Sequence, residues 1–327
     1  MALGFGCLIR GRTLGAFVVT SLFSTVVQAA DFTVSEGVTD TVAKTLTAGE
    51  TGLIEQGGVL SVTAPANSAA ISTNADGVRV TNNGTITTVG GGRVGIFGSG
   101  GGASNAQFVN NGTIRTDATN GYGMASLGTG STFINNGTLT TSGANAHAIH
   151  GTGTNSTLVN NGTLTTSGND AYGLNSANAN STLVNSGTIT TSGTDSYGIG
   201  STNSGSTLSN SGTITTSGSN AFGMYADGNG ITSVNSGTIT STNADGIRSS
   251  GTGNTLTVSD GGSVTVSGAG RAGIRSTGAN GTINVSGTVI ATGSATEAIV
   301  GSTNQTLNIK PGATIVGTIN LGAGTNA

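Results

Sequence analysis

Asn185-Ser186-Gly187-Thr188-Ile189-Thr190-Thr191 returns, with small changes, along most of the chain. Its glycine falls at Gly84, Gly112, Gly137, Gly162, Gly187, Gly212, Gly237, Gly262 and Gly287, so the numbering rises by 28 once and then by 25 seven times. Looser copies lie near Gly58 and Gly312. A fixed period of this length marks a solenoid, in which each repeat buries its apolar face against the next. Three strand signals fit in one period: Thr182-Leu183-Val184-Asn185, then Gly187 to Thr191, then Tyr197-Gly198-Ile199. β-Branched and apolar residues alternate with small polar ones, and Gly, Asn, Ser and Asp punctuate. Three strands in so short a period leave no room for a helix. The expected fold is therefore all-β: a right-handed parallel β-helix of about ten 25-residue coils, with three short strands per coil.

Composition agrees once the period is known. Only 7% of the 327 residues are charged, Gly numbers 59, Trp is absent, and the two prolines are Pro65 and Pro311. In a chain without repeats such poverty of charge and bulk reads as disorder. Stacked like residues make a continuous core instead.

The first residues read as an address. Arg10 and Arg12 precede an apolar run from Leu14 to Val27, and Val27-Gln28-Ala29 is a small-residue cleavage site. The run is shorter than the roughly 20 residues of a membrane span. Residues 1–29 are expected to be a signal peptide, and residues 30–327 one β-helix domain with an N-terminal cap region over 30–57. The single cysteine, Cys7, leaves with the signal. No disulfide, thiol nucleophile or cysteine metal site is then expected. Without Arg10 and Arg12, eight basic side chains face thirteen acidic ones, which argues against a nucleic-acid partner.

Columns can be read down the stack. One inward column runs from Ile86 through Ile189 to Val289, and a second through Val78, Ile96, Met124, Ile149, Leu174 and Ile199 to Ile299. From Ile96 on, two residues after each member of the second column comes a small residue, such as Ser176 or Ser201, expected at a tight inward corner. Asn82, Asn110, Asn135, Asn160, Asn185, Asn210 and Asn235 form a column suited to stacked amide hydrogen bonds. Asn120, Asn145, Asp170, Asp195 and Asn220 share another, with Asn74 and Asn243 beyond. Asp170 and Asp195 invite a calcium or acid-pair reading, but Asn elsewhere in that column favours turn chemistry. The calcium nonapeptide of repeat toxins does not occur.

Two surface columns are candidate binding features. Tyr122, His147, Tyr172, Tyr197 and Phe222 stand beside a strand start, with Asp76, Asp245 and Glu297 as expected equivalents in other coils, so the column should face solvent at least partly. Stacked rings there serve either as a structural ladder or as a platform for a sugar or a base. His147 and His150 lack an acidic or sulfur partner for a metal. The second feature is a Thr-x-Thr grid on the outer face, including Thr188, Thr190, Thr213 and Thr215 and interrupted by Arg115. Strand propensity explains threonine there; the spacing also suits an ice-binding face. No Ser-His-Asp constellation stands out and no cofactor is implied; a polysaccharide lyase or hydrolase stands as a further alternative, ranked below ice binding because the acids are scattered.

The repeat of Asn185 to Thr191, with its continuation of the type Asn220 to Met224, resembles the passenger domains of bacterial outer-membrane autotransporters. The stretch Ile309-Lys310-Pro311-Gly312-Ala313-Thr314-Ile315-Val316-Gly317-Thr318-Ile319-Asn320-Leu321-Gly322 resembles the C-terminal end of such passengers. The resemblance covers nearly all of residues 30–327. It implies a type V secreted β-helix, often an adhesin, at the cell surface or outside the cell, partnered with a host or neighbouring-cell surface or a polysaccharide. No autochaperone segment or translocator barrel precedes the end at Ala327, and the Asn-Pro motifs of two-partner haemagglutinins are absent. A truncated gene product or export through a separate outer-membrane barrel follows as the expectation. The function expected is a non-catalytic, structural or adhesin-like stalk.

Overall fold

The computed structural model describes residues 30–63, 69–90, 94–100 and 102–322. The expected signal peptide and its cleavage site lie outside them. The described residues fold as an all-β parallel solenoid without a helix. Every third strand joins the same sheet, which gives three sheets of twelve strands each. In the coil around Gly187 the first sheet takes Thr182–Asn185, the second Thr188–Thr191 and the third Ile199–Ser201.

Twelve rungs replace the ten or so counted from the sequence. The first comprises Phe32–Val34, Thr39–Asp40 and Lys44–Leu46, inside the region read as a cap. It was hidden because its turns are short. Phe32 pairs with Gly52 and Thr39 with Val59, a shorter step than the marker's, and no Asn-Gly-Thr unit announces it.

Register explains how a drifting sequence keeps its columns. Between Gly237 and Gly262 the marker steps by 25, yet Thr232 pairs with Thr255 and Met224 with Ile247, a step of 23. The turn before Ile247 loses two residues, and the turn at Ser259–Gly262 returns them. Thr238 accordingly still pairs with Ser263, a step of 25.

The core is the inside of the coil. Ile86, Ile114, Leu139, Leu164, Ile189, Ile214, Ile239, Val264 and Val289 are all buried in one column. The second column is buried too, with one correction: Ile71, not Val78, pairs with Ile96. Val78 is buried at the turn before the next strand, and its carbonyl accepts from Gln107 N–H at 2.9 Å. A third inward column, not singled out in the sequence, runs along the first sheet through Val80, Phe108, Phe133, Leu158, Leu183 and Leu208. Phe108 and Phe133 meet edge to face, 5.5 Å between centroids. One rung later the strand's two inward positions exchange chemistry. Ser206 and Leu208 give way to Ile231 and Ser233, all four buried. Each buried Ile or Leu contributes about 1.5–3 kcal/mol, so repetition makes a stable stack without tryptophan.

Polar columns are as ordered as apolar ones. Each inner asparagine from Asn82 to Asn210 donates its Nδ2 to the Oδ1 of the asparagine one rung on, at 2.7–2.8 Å. The ladder begins where Asn82 stacks on Ile54 and ends where Asn235 stacks on Val258. Asn82 Oδ1, at the starting end, has no protein partner. An exposed ladder beside it runs the opposite way: Asn111 donates to Asn83, Asn136 to Asn111 and Asn161 to Asn136, each at 2.8 Å. Inward Thr166 and Thr191 hydroxyls donate to the carbonyls of Ala171 and Ser196 at 2.6 Å, fixing the next corner.

Glycine in the repeat unit is a packing requirement. A Cβ on Gly187 would stand 2.1 Å from the Gly162 carbonyl oxygen, so only glycine lets successive rungs approach there. The Asx column has a different origin. Asn120, Asn145, Asp170, Asp195 and Asn220 all have φ between 52 and 56°, the left-handed region that Asn and Asp tolerate best. This supports the turn reading of Asp170 and Asp195. A second left-handed column at Asn105, Asn155, Asn180, Asn280 and Asn304, with φ of 55–59°, was not read from the sequence.

Ile189→Asp places an unpaired charge among buried apolar neighbours and should cost several kcal/mol. Thr188→Asp, on the exposed side of the same strand, should change stability by less than about 1 kcal/mol. Thermal melts of both variants test the facing. Asn160→Ala leaves the buried Asn185 Oδ1 without its donor and should cost about 1–3 kcal/mol. Asn161→Ala in the exposed ladder should cost far less, because water replaces the lost amide.

Candidate functional site

The ring column of the sequence lies along the outer edge of the third sheet. Stacking is close to face-on from rung to rung. Tyr122 and His147 are 5.3 Å apart between centroids, His147 and Tyr172 4.5 Å, Tyr172 and Tyr197 4.6 Å, and Tyr197 and Phe222 5.0 Å, with interplanar angles of 8–18°. The expected exposure holds only in part. The three tyrosines are half-buried, but His147, packed by Tyr122, Tyr172 and His150, and Phe222, packed by Tyr197, Tyr225 and Arg248, are buried. The equivalents also need correcting at the N-terminal end. Val94 and Ala69, two residues before Ile96 and Ile71, occupy the column there. Asp76 instead accepts from Ser104 N–H at 3.0 Å in a turn. Asp245 and Glu297 do continue the column, with Ala272 between them.

A second column, three residues on, completes the strip: Ala125, His150, Asn175, Gly200, Tyr225, Arg248 and Arg275. Sequence reading noticed His150 but not that Tyr225 and Arg248 share its row. The signal was the spacing of three between Phe222 and Tyr225, matched by His147 and His150. His150 lies 4.9 Å from Tyr122 and 4.7 Å from His147. Tyr225 leans on Tyr197 at 4.6 Å and on Phe222 at 5.4 Å. All four tyrosines and both histidines of the chain thus stand in one strip.

Beyond Phe222 the rings give way to charges of alternating sign. The Arg248 guanidinium lies 4.9 Å from the Phe222 ring centroid, a cation–π contact. Asp245, fully buried, accepts from Ala272 N–H at 2.8 Å and from Arg275 Nε at 2.9 Å, and Arg248 Nη1 is 3.7 Å away. Arg275 also reaches Glu297 at 3.1 Å. A buried carboxylate is tolerable only when paired in this way.

Burial shifts the titrations of the strip. It holds His147 well below the ordinary imidazole range, helped by the neighbouring His150, and lowers His150 to about 4. Tyr172 N–H donates to His147 Nδ1 at 3.0 Å, so that nitrogen carries no proton. Burial first, and then the carboxylates of Asp170 and Asp195, push the Tyr172 phenol up to about 12, and Tyr197 rises for similar reasons. These rings are neutral packing and hydrogen-bonding groups at neutral pH. Among the described residues no cluster of three His, Cys, Asp or Glu side chains could hold a metal.

A shallow depression of about 230 Å³ opens at one place in the strip, lined by Asp195, Tyr197, Asn220, Phe222, Tyr225 and Arg248. The threonine grid belongs to another face. Thr188 pairs with Thr213 and Thr190 with Thr215, in register along the second sheet, and Arg115 between Thr87 and Thr140 interrupts it as expected. The structure does not bring the two surface features together.

Comparison with known proteins places this architecture. A family model described as the BigA third pectate lyase-like domain matches residues 25–262, and the chain belongs to that family. No curated protein and no solved structure matches it.

The two histidines give a pH prediction. Their folded-state values lie below the ordinary 6.5, so the unfolded chain takes up protons first as pH falls. Stability is then complete above about pH 7 and is lost as pH drops from 6.5 towards 4, by up to roughly 3 kcal/mol for His150 alone. Urea midpoints against pH should show this fall. His150→Asn, copying Asn175 one rung on, should flatten it.

Proposed function

We propose that this chain is an exported, surface-displayed β-helix stalk of the autotransporter-passenger kind, acting as a non-catalytic adhesin. The observation that carries the reading is the concentration of every tyrosine and histidine into one outward strip on an otherwise Thr-, Ser- and Asn-covered rod. A stalk needs length, and the solenoid supplies it by adding like rungs. An adhesive surface needs groups that bind without reacting, and neutral rings with flanking carboxylates and guanidinium groups are such groups. Catalysis needs a local set of titratable residues poised near working pH. Here the histidines are neutral and buried, and Asp245 and Glu297 are balanced by Arg248 and Arg275. Export and presentation outside the outer membrane, through a barrel in the same or another polypeptide, fit the apolar run after Arg12 and the near absence of charge. Host or neighbouring-cell surfaces and their polysaccharides are the partners, and nucleic acid is not.

The in-register grid of Thr188, Thr190, Thr213 and Thr215 supports a second reading, ice binding, since its spacings are about 4.8 Å between strands and about 6.7 Å along them. Thermal hysteresis measured on the purified chain separates the two.

Expressed from its own first methionine in a Gram-negative host, the chain should leave the cytoplasm, and the mature form should begin at Ala30. Incubated with polygalacturonate, it should release no unsaturated uronide. Removal of one interior coil, residues 163–187, should shorten the rod and preserve its strand-type circular dichroism. Retention of Met1 in the cytoplasm, or sustained turnover of the polymer, would overturn the reading.

A further inference from the structure

The depression at Tyr197 and Tyr225 arises from a break in the repetition. In the second column of the strip, His150 and Asn175 fill the rungs before it, and Tyr225 and Arg248 those after it. Gly200, between Asn175 and Tyr225, supplies no side chain. Tyr225 follows one rung on, its ring 4.6 Å from Tyr197 and inclined by 55° to it. The regular ladder is near-parallel, so its rings cover one another. The tilted ring departs from it and remains half exposed.

Around this ring the other groups differ in kind. Tyr197 and Phe222 contribute aromatic surface, and Asn220 an amide. Asp195 contributes a carboxylate that takes part in no ion pair among the described residues, and Arg248 a guanidinium about one-third exposed. An aromatic surface flanked by a carboxylate, an amide and a guanidinium matches a ligand with an apolar C–H face and a rim of hydroxyls that both donate and accept. That is a pyranose ring.

Charge narrows the class. Arg248, Arg271 and Arg275 stand near the depression, Arg271 through Nη1 donating to Asn220 Oδ1 at 3.2 Å. Against them stand Asp195, Asp227, Asp245 and Glu297, and Arg275 is held by two of these acids. No excess positive charge is available to neutralise a uronate. We infer that the Asp195–Tyr197–Asn220–Phe222–Tyr225–Arg248 depression binds a neutral or N-acetylated sugar residue of a surface polysaccharide, and not pectate. The inference rests on the adhesive reading for its biological sense, but its geometry is independent of it.

The tyrosines report directly on the site. The chain has no tryptophan and its four tyrosines all lie in the strip, so intrinsic fluorescence reads this surface alone. The full chain is titrated with cellotriose, with chitotriose and with trigalacturonate. One of the two uncharged trisaccharides should change the fluorescence saturably, and trigalacturonate should not. Tyr225→Ala should weaken that binding at least tenfold. Gly200→Asn, which copies Asn175 and sets a Cβ 3.3 Å from the Tyr197 ring, should do the same, and Thr188→Ala on the second sheet should leave it unchanged. The melting temperature of Tyr225→Ala, expected to be nearly unchanged because the ring is half exposed, guards against a folding explanation. No response to either uncharged sugar, tighter binding of trigalacturonate, or indifference to both substitutions overturns the assignment. Adherence of chain-coated beads to epithelial cells is measured in parallel. Beads that adhere without any sugar response refute the site and leave the adhesin reading standing; a sugar response without adherence supports the site and refutes the adhesin.

Discussion

Every side chain in this protein must tolerate a copy of itself about 4.8 Å away. That follows from in-register parallel pairing, in which Asn stacks on Asn and Thr on Thr through most of the rungs. The constraint sorts residues by self-compatibility. Apolar side chains stack without cost. An amide has a donor and an acceptor, so an asparagine column forms a continuous chain of hydrogen bonds. A ring stacks on a ring. A charge cannot stack on its like without repulsion, which accounts for a chain only 7% charged. Where Arg248 does stack on Arg275 in the third sheet, carboxylates accompany the pair: Asp245 lies against both and Glu297 against Arg275. The composition that looks unlike a folded domain is thus a consequence of the fold.

The same constraint decides what could be read from sequence. The recurring glycine marker, the two apolar columns and the Asn column were legible because stacking writes the same residue at the same phase many times. The first rung was not, since its shorter step from Phe32 to Gly52 carries no marker glycine. Val78 was misplaced for a related reason: upstream of Ile96 the turns vary in length, and counting from the marker loses phase by several residues. The shortened step before Ile247 did no harm, because the assignment there followed the apolar residue itself and not a fixed count.

The strip was half legible. Its first column announced itself as five ring-bearing residues at a constant interval. Its second column did not, because Ala125, His150, Asn175, Gly200, Tyr225 and Arg248 share no chemistry. Their neighbourhood is a fact of the stack and only appears when rungs are laid over one another. Burial of His147 and Phe222 was missed for the same reason. Position beside a strand start predicts exposure, but His147 and Phe222 are each covered by side chains of both columns of the strip.

Repetition also tells where specificity can arise in such a protein. A column of identical groups presents the same surface at every rung and cannot single out one position. Discrimination requires a place where the column changes. The described surface changes most sharply between Asn175 and Arg248. Within three steps the second column passes from an amide to no side chain, to a phenol, to a guanidinium. Family membership extends over residues 25–262 and so includes this stretch. A pectate lyase-like fold offers the long regular wall, and its chemistry is set by the departures from regularity. In this chain those departures set the tilted Tyr225 ring beside Arg248 and Asp195.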